Sequence, residues 1–198
     1  MKMTGIVVMV LVAASAHAGI IRAEARQLII CMESASGNVV IENAARTVAS
    51  GVFASINVKI EWRIAAKCPT EAIYVSFLSQ TPVNLHRGAL AYALPYEGTH
   101  IVVFLDRLKY TAPSAVAHLL GYTLVHEITH ILEGEVRHSE SGIMKAYWGT
   151  DDNVGIRHGH LSFAAEDVSL IYRGLDWRES RLAMASPSNA AAYAIATH

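Results

Sequence analysis

The 198-residue chain is short of charge. Asp, Glu, Lys and Arg make up 17% of it, and sixteen basic against seventeen acidic side chains leave a formal net charge of −1. A nucleic-acid partner calls for a basic face, and this balance offers none. Two cysteines are too few for a mini-protein built on a disulfide framework. Thirteen glycines and five prolines without a repeat exclude a collagen-like chain, and the charged content is too low for a coiled coil. After the first fourteen residues no apolar run reaches the roughly 20 residues of a membrane helix. With 53% apolar residues, the chain is not expected to be disordered, and its length fits one domain with a real core. What it has in plenty is histidine, ten in all.

The start of the chain is an address. Lys2 precedes an apolar run over 6–14, and Ala16-His17-Ala18 places small residues before Gly19. That is the layout of a secretory signal peptide spanning 1–18. A retained anchor is the alternative, although the run is short for a membrane span. No cysteine follows the cut, so a lipid-anchored form is not expected. The expectation is an exported protein, secreted or periplasmic, with no stable membrane insertion once the signal is removed. Residues 19–180 form the domain, and the alanine-rich tail over 181–198 is expected to be flexible. Export to an oxidising compartment permits a disulfide, and Cys31 and Cys68 allow a single intrachain pairing.

Hydrophobic periodicity predicts the elements. Residues 27–32 read as a buried strand, and 39–55 as a helix with apolar residues at Val40, Ala44, Val48, Val52 and Phe53. Strands follow over 57–63, 72–79 and 101–105, with a weaker one over 89–94. Pro113 suits the first position of a helix that runs to Glu133 and stops at Gly134. Residues 134–159 lack clear periodicity and read as a long loop, a length usually kept for function. Ser162 is a candidate N-cap for a last helix ending near Arg173. The order predicts an α/β sandwich with one mixed sheet.

The chemistry sits at His126-Glu127-Ile128-Thr129-His130, an H-E-x-x-H pattern. Residues four apart on a helix turn through about 400°, so both imidazoles leave one face. Two histidine nitrogens so placed reach one zinc ion at ~2.0–2.1 Å. Glu127 lies about 100° round the helix, beside the ion, where it can take a proton from water activated there. A catalytic zinc site needs a third protein ligand and an open position. Glu133 shares the face of His130, but three ligands in a row along one helix cannot surround an ion. The third must return from beyond the helix end, and Gly134 lets the chain turn. His138 is the nearest candidate. Asp151, Asp152, His158 and His160 follow as later ones. His86, His100 and His118 are most simply surface or core residues.

The segment HEITHILEGEVRHSESGIM resembles the metzincin clan of zinc metallopeptidases. The resemblance implies one zinc ion held by His126, His130 and His138, with Glu127 as general base. It implies that Met144, in Ser141-Gly142-Ile143-Met144, forms a floor beneath the histidines without binding metal. Glycine and third histidine stand four and eight residues after His130, where the clan usually has three and six. Tyr147 follows the methionine by three residues rather than two; it is a candidate further ligand or oxyanion stabiliser, with packing as the plainer role. The implied fold is a mixed twisted sheet with one antiparallel edge strand, here 89–94, packed on two long helices. A small irregular lower part with a C-terminal helix completes it. The implied activity is hydrolysis of peptide bonds in a peptide or protein substrate, and residues 19–26 are too few for an inhibitory prosegment. The rival expectation is a secreted zinc-containing binding module without activity, its site closed by Asp151 or His158.

Overall fold

The structure is a computed structural model and describes residues 24–34, 38–64, 68–86 and 88–185. The expected signal peptide, 1–18, and the tail beyond 185 lie outside the described residues. The elements run β1 (Arg26–Met32), α1 (Val39–Ser55), β2 (Val58–Ile64), β3 (Ile73–Leu78), β4 (Ala91–Ala93), β5 (His100–Phe104), α2 (Leu105–Thr111), α3 (Val116–Glu133), α4 (Thr150–His158) and α5 (Ala165–Ala185).

The strands form one mixed sheet in the order β2-β1-β3-β5-β4. β1 pairs in parallel with β2 and β3, and β3 with β5; β4 alone is antiparallel, at the edge beside β5. Parallel neighbours need a crossover, and α1 supplies it between β1 and β2. Side chains alternate as a half-covered sheet requires. Leu28, Ile30, Met32, Val58, Ile60, Ile73, Val75, Ile101 and Val103 are buried. Lys59 and His100 stay exposed.

α1 begins where the Asn38 side chain accepts a hydrogen bond from Ile41 N–H at 3.2 Å, a standard N-cap. It buries Ala45, Ala49 and Phe53 at a four-residue spacing. α3 packs against it closely. A Cβ on Gly121 would stand 2.7 Å from the Val48 side chain, so only glycine permits this approach. α3 is buried on nearly every side, from Leu119 to Leu132, and is the central rod of the molecule. The expected disulfide joins Cys31 to Cys68 with Cα atoms 6.1 Å apart.

Four boundaries differ from the sequence reading. α2 occupies residues read as strand end and connection; its Asp106 accepts from Thr81 N–H and Oγ at 3.1 and 2.7 Å, a contact across 25 residues. Pro113 lies in the turn before α3, which starts at Val116. The stretch 134–159 is not all loop, because α4 fills its end. Only Ile156 of that helix is buried, so no apolar stripe announced it. Its ends are marked instead by charge: Asp151 and Asp152 at the start, Arg157 and His158 at the finish, matching the helix dipole. Finally, Ser162 is not the cap of the last helix. Asp167 accepts from Ala164 N–H at 3.2 Å, and α5 continues past Arg173 to Ala185.

Candidate metal centre

α3 delivers two imidazoles on one face, as the spacing requires. Their rings stand 4.7 Å apart between centroids. Gly134 ends the helix at φ 73°, with its N–H bonded to His130 O at 3.0 Å. The chain then folds back and brings His138 to both rings, at 5.4 Å from His126 and 5.0 Å from His130. Ligand nitrogens of the three histidines all lie within 4.8 Å of one another. The longer spacing therefore does not keep His138 away. Part of the added length runs alongside His130, whose Nδ1 meets Glu135 O at 3.1 Å.

The donor set suits a cation. His126 Nδ1 meets Ile143 O at 2.9 Å. A carbonyl only accepts, so Nδ1 carries the proton in both His126 and His130. Each Nε2 then presents a bare lone pair, and the two stand 3.0 Å apart. Two lone pairs aimed at each other repel unless a cation lies between them. A tetrahedral ion with ~2.0–2.1 Å bonds sets its ligand nitrogens about 3.3 Å apart, close to the distance observed. Burial lowers His126 to about 4, with the Ile143 carbonyl opposing. Burial, aided by the neighbouring His126 and His138, lowers His130 to about 3. Both rings are thus neutral at physiological pH, the form that binds metal. His138 is exposed, which leaves the site a solvent-facing side.

The turn after His138 supports the rings from below. Gly142 has φ 74°, and a Cβ there would lie 2.4 Å from Ser162 O. Ile143 and Met144 are fully buried. Ile143 donates its N–H to Ser162 O at 3.0 Å. Its own carbonyl receives both His126 Nδ1–H and Trp148 Nε1–H, the latter at 3.0 Å. Trp148 sets its ring edge-on to His126 at 5.7 Å. The sequence reading missed this residue; a tryptophan four positions after the turn methionine was the available signal. Tyr147, its neighbour, is 80% exposed.

The remaining ligand candidates are engaged elsewhere. Asp152 binds Lys145 Nζ at 2.5 Å and Gly149 N–H at 2.8 Å. Asp151 is exposed at the start of α4, and His158 stacks with His160 at 6.3 Å. Glu133 faces Arg137 at 3.5 Å. Among the described residues, the group able to hold a metal is the three histidines alone.

Glu127 is buried at 8% exposure. Burial pushes its carboxyl up to about 8, with a hydrogen bond from Ala93 N–H opposing. Ala93 belongs to the edge strand. Leu94 N–H bonds His100 O and Phe104 N–H bonds Leu90 O. Pairs alternate in an antiparallel ladder, so Ala91 and Ala93 turn their backbone groups outward from the sheet. The carboxyl of Glu127 therefore sits beside the open edge. Along the same face of α3, about 10 Å before His126, Leu119 walls a cavity of about 290 Å³ closed by Thr111, Asn153 and Arg157.

No protein-family model and no curated protein sequence matches the chain. A solved structure does: the archaemetzincin from Methanopyrus kandleri superposes with a TM-score of 0.51, covering 79% of this chain and 99% of that one, at 15% sequence identity. An identity that low carries the fold rather than the activity. The chain shares the mixed α/β fold of that archaemetzincin and carries a three-histidine cluster at the end of α3.

Proposed function

We propose that the chain is an exported zinc-dependent endopeptidase. The observation that carries this reading is the position of Glu127, between a convergent histidine triad and an unpaired strand edge. His126, His130 and His138 would hold one zinc ion. Bound there, zinc supplies Lewis acidity toward the scissile carbonyl and lowers the pKa of water. Burial raises the Glu127 carboxyl to about 8, but the charge of a cation held beside it would favour the ionised form. So ionised, Glu127 accepts the proton of the attacking water at a carboxylate oxygen and passes it to the leaving amine. The outward N–H and carbonyl of Ala91 and the carbonyl of Ala93 bind extended peptide by strand addition, while the Ala93 N–H holds Glu127 at that edge. Substrate on that edge lies beside Glu127. Met144 is the buried floor beneath the histidines. The disulfide suits an oxidising compartment, and no described helix is long and apolar enough to cross a membrane.

Replacing Glu127 tests the assignment. A zinc-loaded Glu127→Ala protein should keep its fold and metal and lose about 10²–10⁴-fold in turnover of a peptide library. Undiminished hydrolysis by that protein refutes the role.

A further inference from the structure

Resting on the zinc-site reading, we infer that Asp167 is a positioning residue for the third ligand, clamping His138 from both sides of the chain. His126 and His130 are each fixed through their own rings, by Nδ1–H bonds to backbone carbonyls. Among the described residues, the His138 ring has no such partner. What is held is the side chain of the residue on either side of it, Arg137 and Ser139. One oxygen of Asp167 receives Arg137 Nη2 at 2.6 Å and the hydroxyl of Ser139. Its other oxygen receives Ala164 N–H at 3.2 Å, which ties the clamp to the start of α5. Ser139 N–H completes the arrangement by bonding Met144 O at 2.8 Å. Asp167 is fully buried, and a buried carboxylate holds its partners firmly because losing one leaves it uncompensated.

The clamp answers a problem specific to this chain. The segment from His130 to His138 is two residues longer than the clan's usual spacing, and added length adds conformations. A ligand on a longer tether is less preorganised and binds its ion less tightly. Asp167 reaches across about thirty residues of sequence and removes that freedom. It also takes the shortest of the Arg137 ion pairs, at 2.6 Å against 3.5 Å to Glu133 and 3.7 Å to Glu166.

The test is a double-mutant cycle on the full chain, read by zinc affinity in competition with a chelator and by the visible spectrum of the cobalt(II) form. Asp167→Ala should weaken zinc about 10–100-fold, the range for lost outer-shell support, and shift the cobalt spectrum toward that of His138→Ala. In a His138→Ala background the same change should alter affinity by no more than about twofold. An unaltered affinity in Asp167→Ala, or an equal loss in both backgrounds, overturns the inference. If Asp167→Ala does not fold, Ser139→Ala combined with Arg137→Gln decides instead, since it leaves the α5 contact in place. A loss of affinity that vanishes without His138 supports the clamp, and unchanged affinity overturns it. Native protein that binds no zinc overturns the metallopeptidase reading as well. Native protein that binds zinc indifferently to Asp167 overturns the clamp alone.

Discussion

The molecule is held together in two different ways. Up to Gly134, the sheet, α1 and α3 pack through apolar faces, with Ile30, Ile73, Leu124 and Ile128 fully buried. After Gly134, the side chains of Ile143, Met144, Ile156, Ile171 and Leu175 still join that core, but the stretch that carries His138 is held by polar contacts: Ile143 O bridging His126 and Trp148, Ser139 on Met144, Asp167 on Arg137 and Ser139. The first part supplies stability and a rigid rod with two histidines at fixed spacing. The second supplies the third histidine and the buried turn at Ile143 and Met144. Apolar packing is strong and non-directional. Hydrogen bonds are weaker in net stability but directional, which is what placing a ligand atom requires.

Substitutions can break or sharpen this division. Ile30 lies in central β1, in register with Trp62 and Ile73. Ile30→Ala should cost about 2–5 kcal/mol in urea unfolding, while zinc affinity of the folded protein stays unchanged. A parallel loss of affinity would erase the distinction between the two parts. Gly174 tests the seam between them. A Cβ at that position would fall 1.8 Å from Leu132 O, the end of α3. Gly174→Ala should therefore displace α5, cost about 1–3 kcal/mol and weaken zinc along with stability. Stability lost with affinity intact would mean that α5 does not position the site.

Glu133 gives the smallest effect and a signed one. Its side chain is fully buried, and one of its oxygens lacks a partner. Burial raises it from 4.5 to about 7, with Arg137 opposing. Between those values the folded chain holds a proton that the unfolded chain has released. The stability from this group is complete at the acid end and declines as pH rises through about 7. Glu133→Gln should flatten that decline and gain on the order of 1 kcal/mol above neutrality. Unfolding midpoints measured across pH check it; a loss of stability at alkaline pH would show that the Arg137 pair outweighs the burial.

The two parts were also unequally legible. Helix α1 has the bounds its periodicity predicts, because an amphipathic stripe is written locally. The edge strand and H-E-x-x-H were readable for the same reason. The buried face of α1, however, is Ala45, Ala49 and Phe53; of the predicted stripe, Val40 and Ala44 are exposed, since the docking of α3 sets which side turns inward. α4 escaped because it buries only Ile156, and α2 because Thr81 organises it from 25 residues away. His138 could be ranked among five candidates but not chosen by geometry alone. Trp148 was marked only by its place after the turn methionine, and Asp167 carried no periodic or motif signal at all.

The sequence by itself determined the rod and its pair of imidazoles, since a four-residue spacing on a helix leaves no other placement. It also singled out Glu127 beside them and the one pairing open to Cys31 and Cys68. Only the tertiary structure decided that His138 completes the triad, that Asp151, Asp152, His158 and His160 do not, and that Asp167 grips both its neighbours. Those contacts join residues whose separation along the chain carries no information about distance. They exist because α5 docks on the end of α3, and that docking depends on the packing of the whole chain.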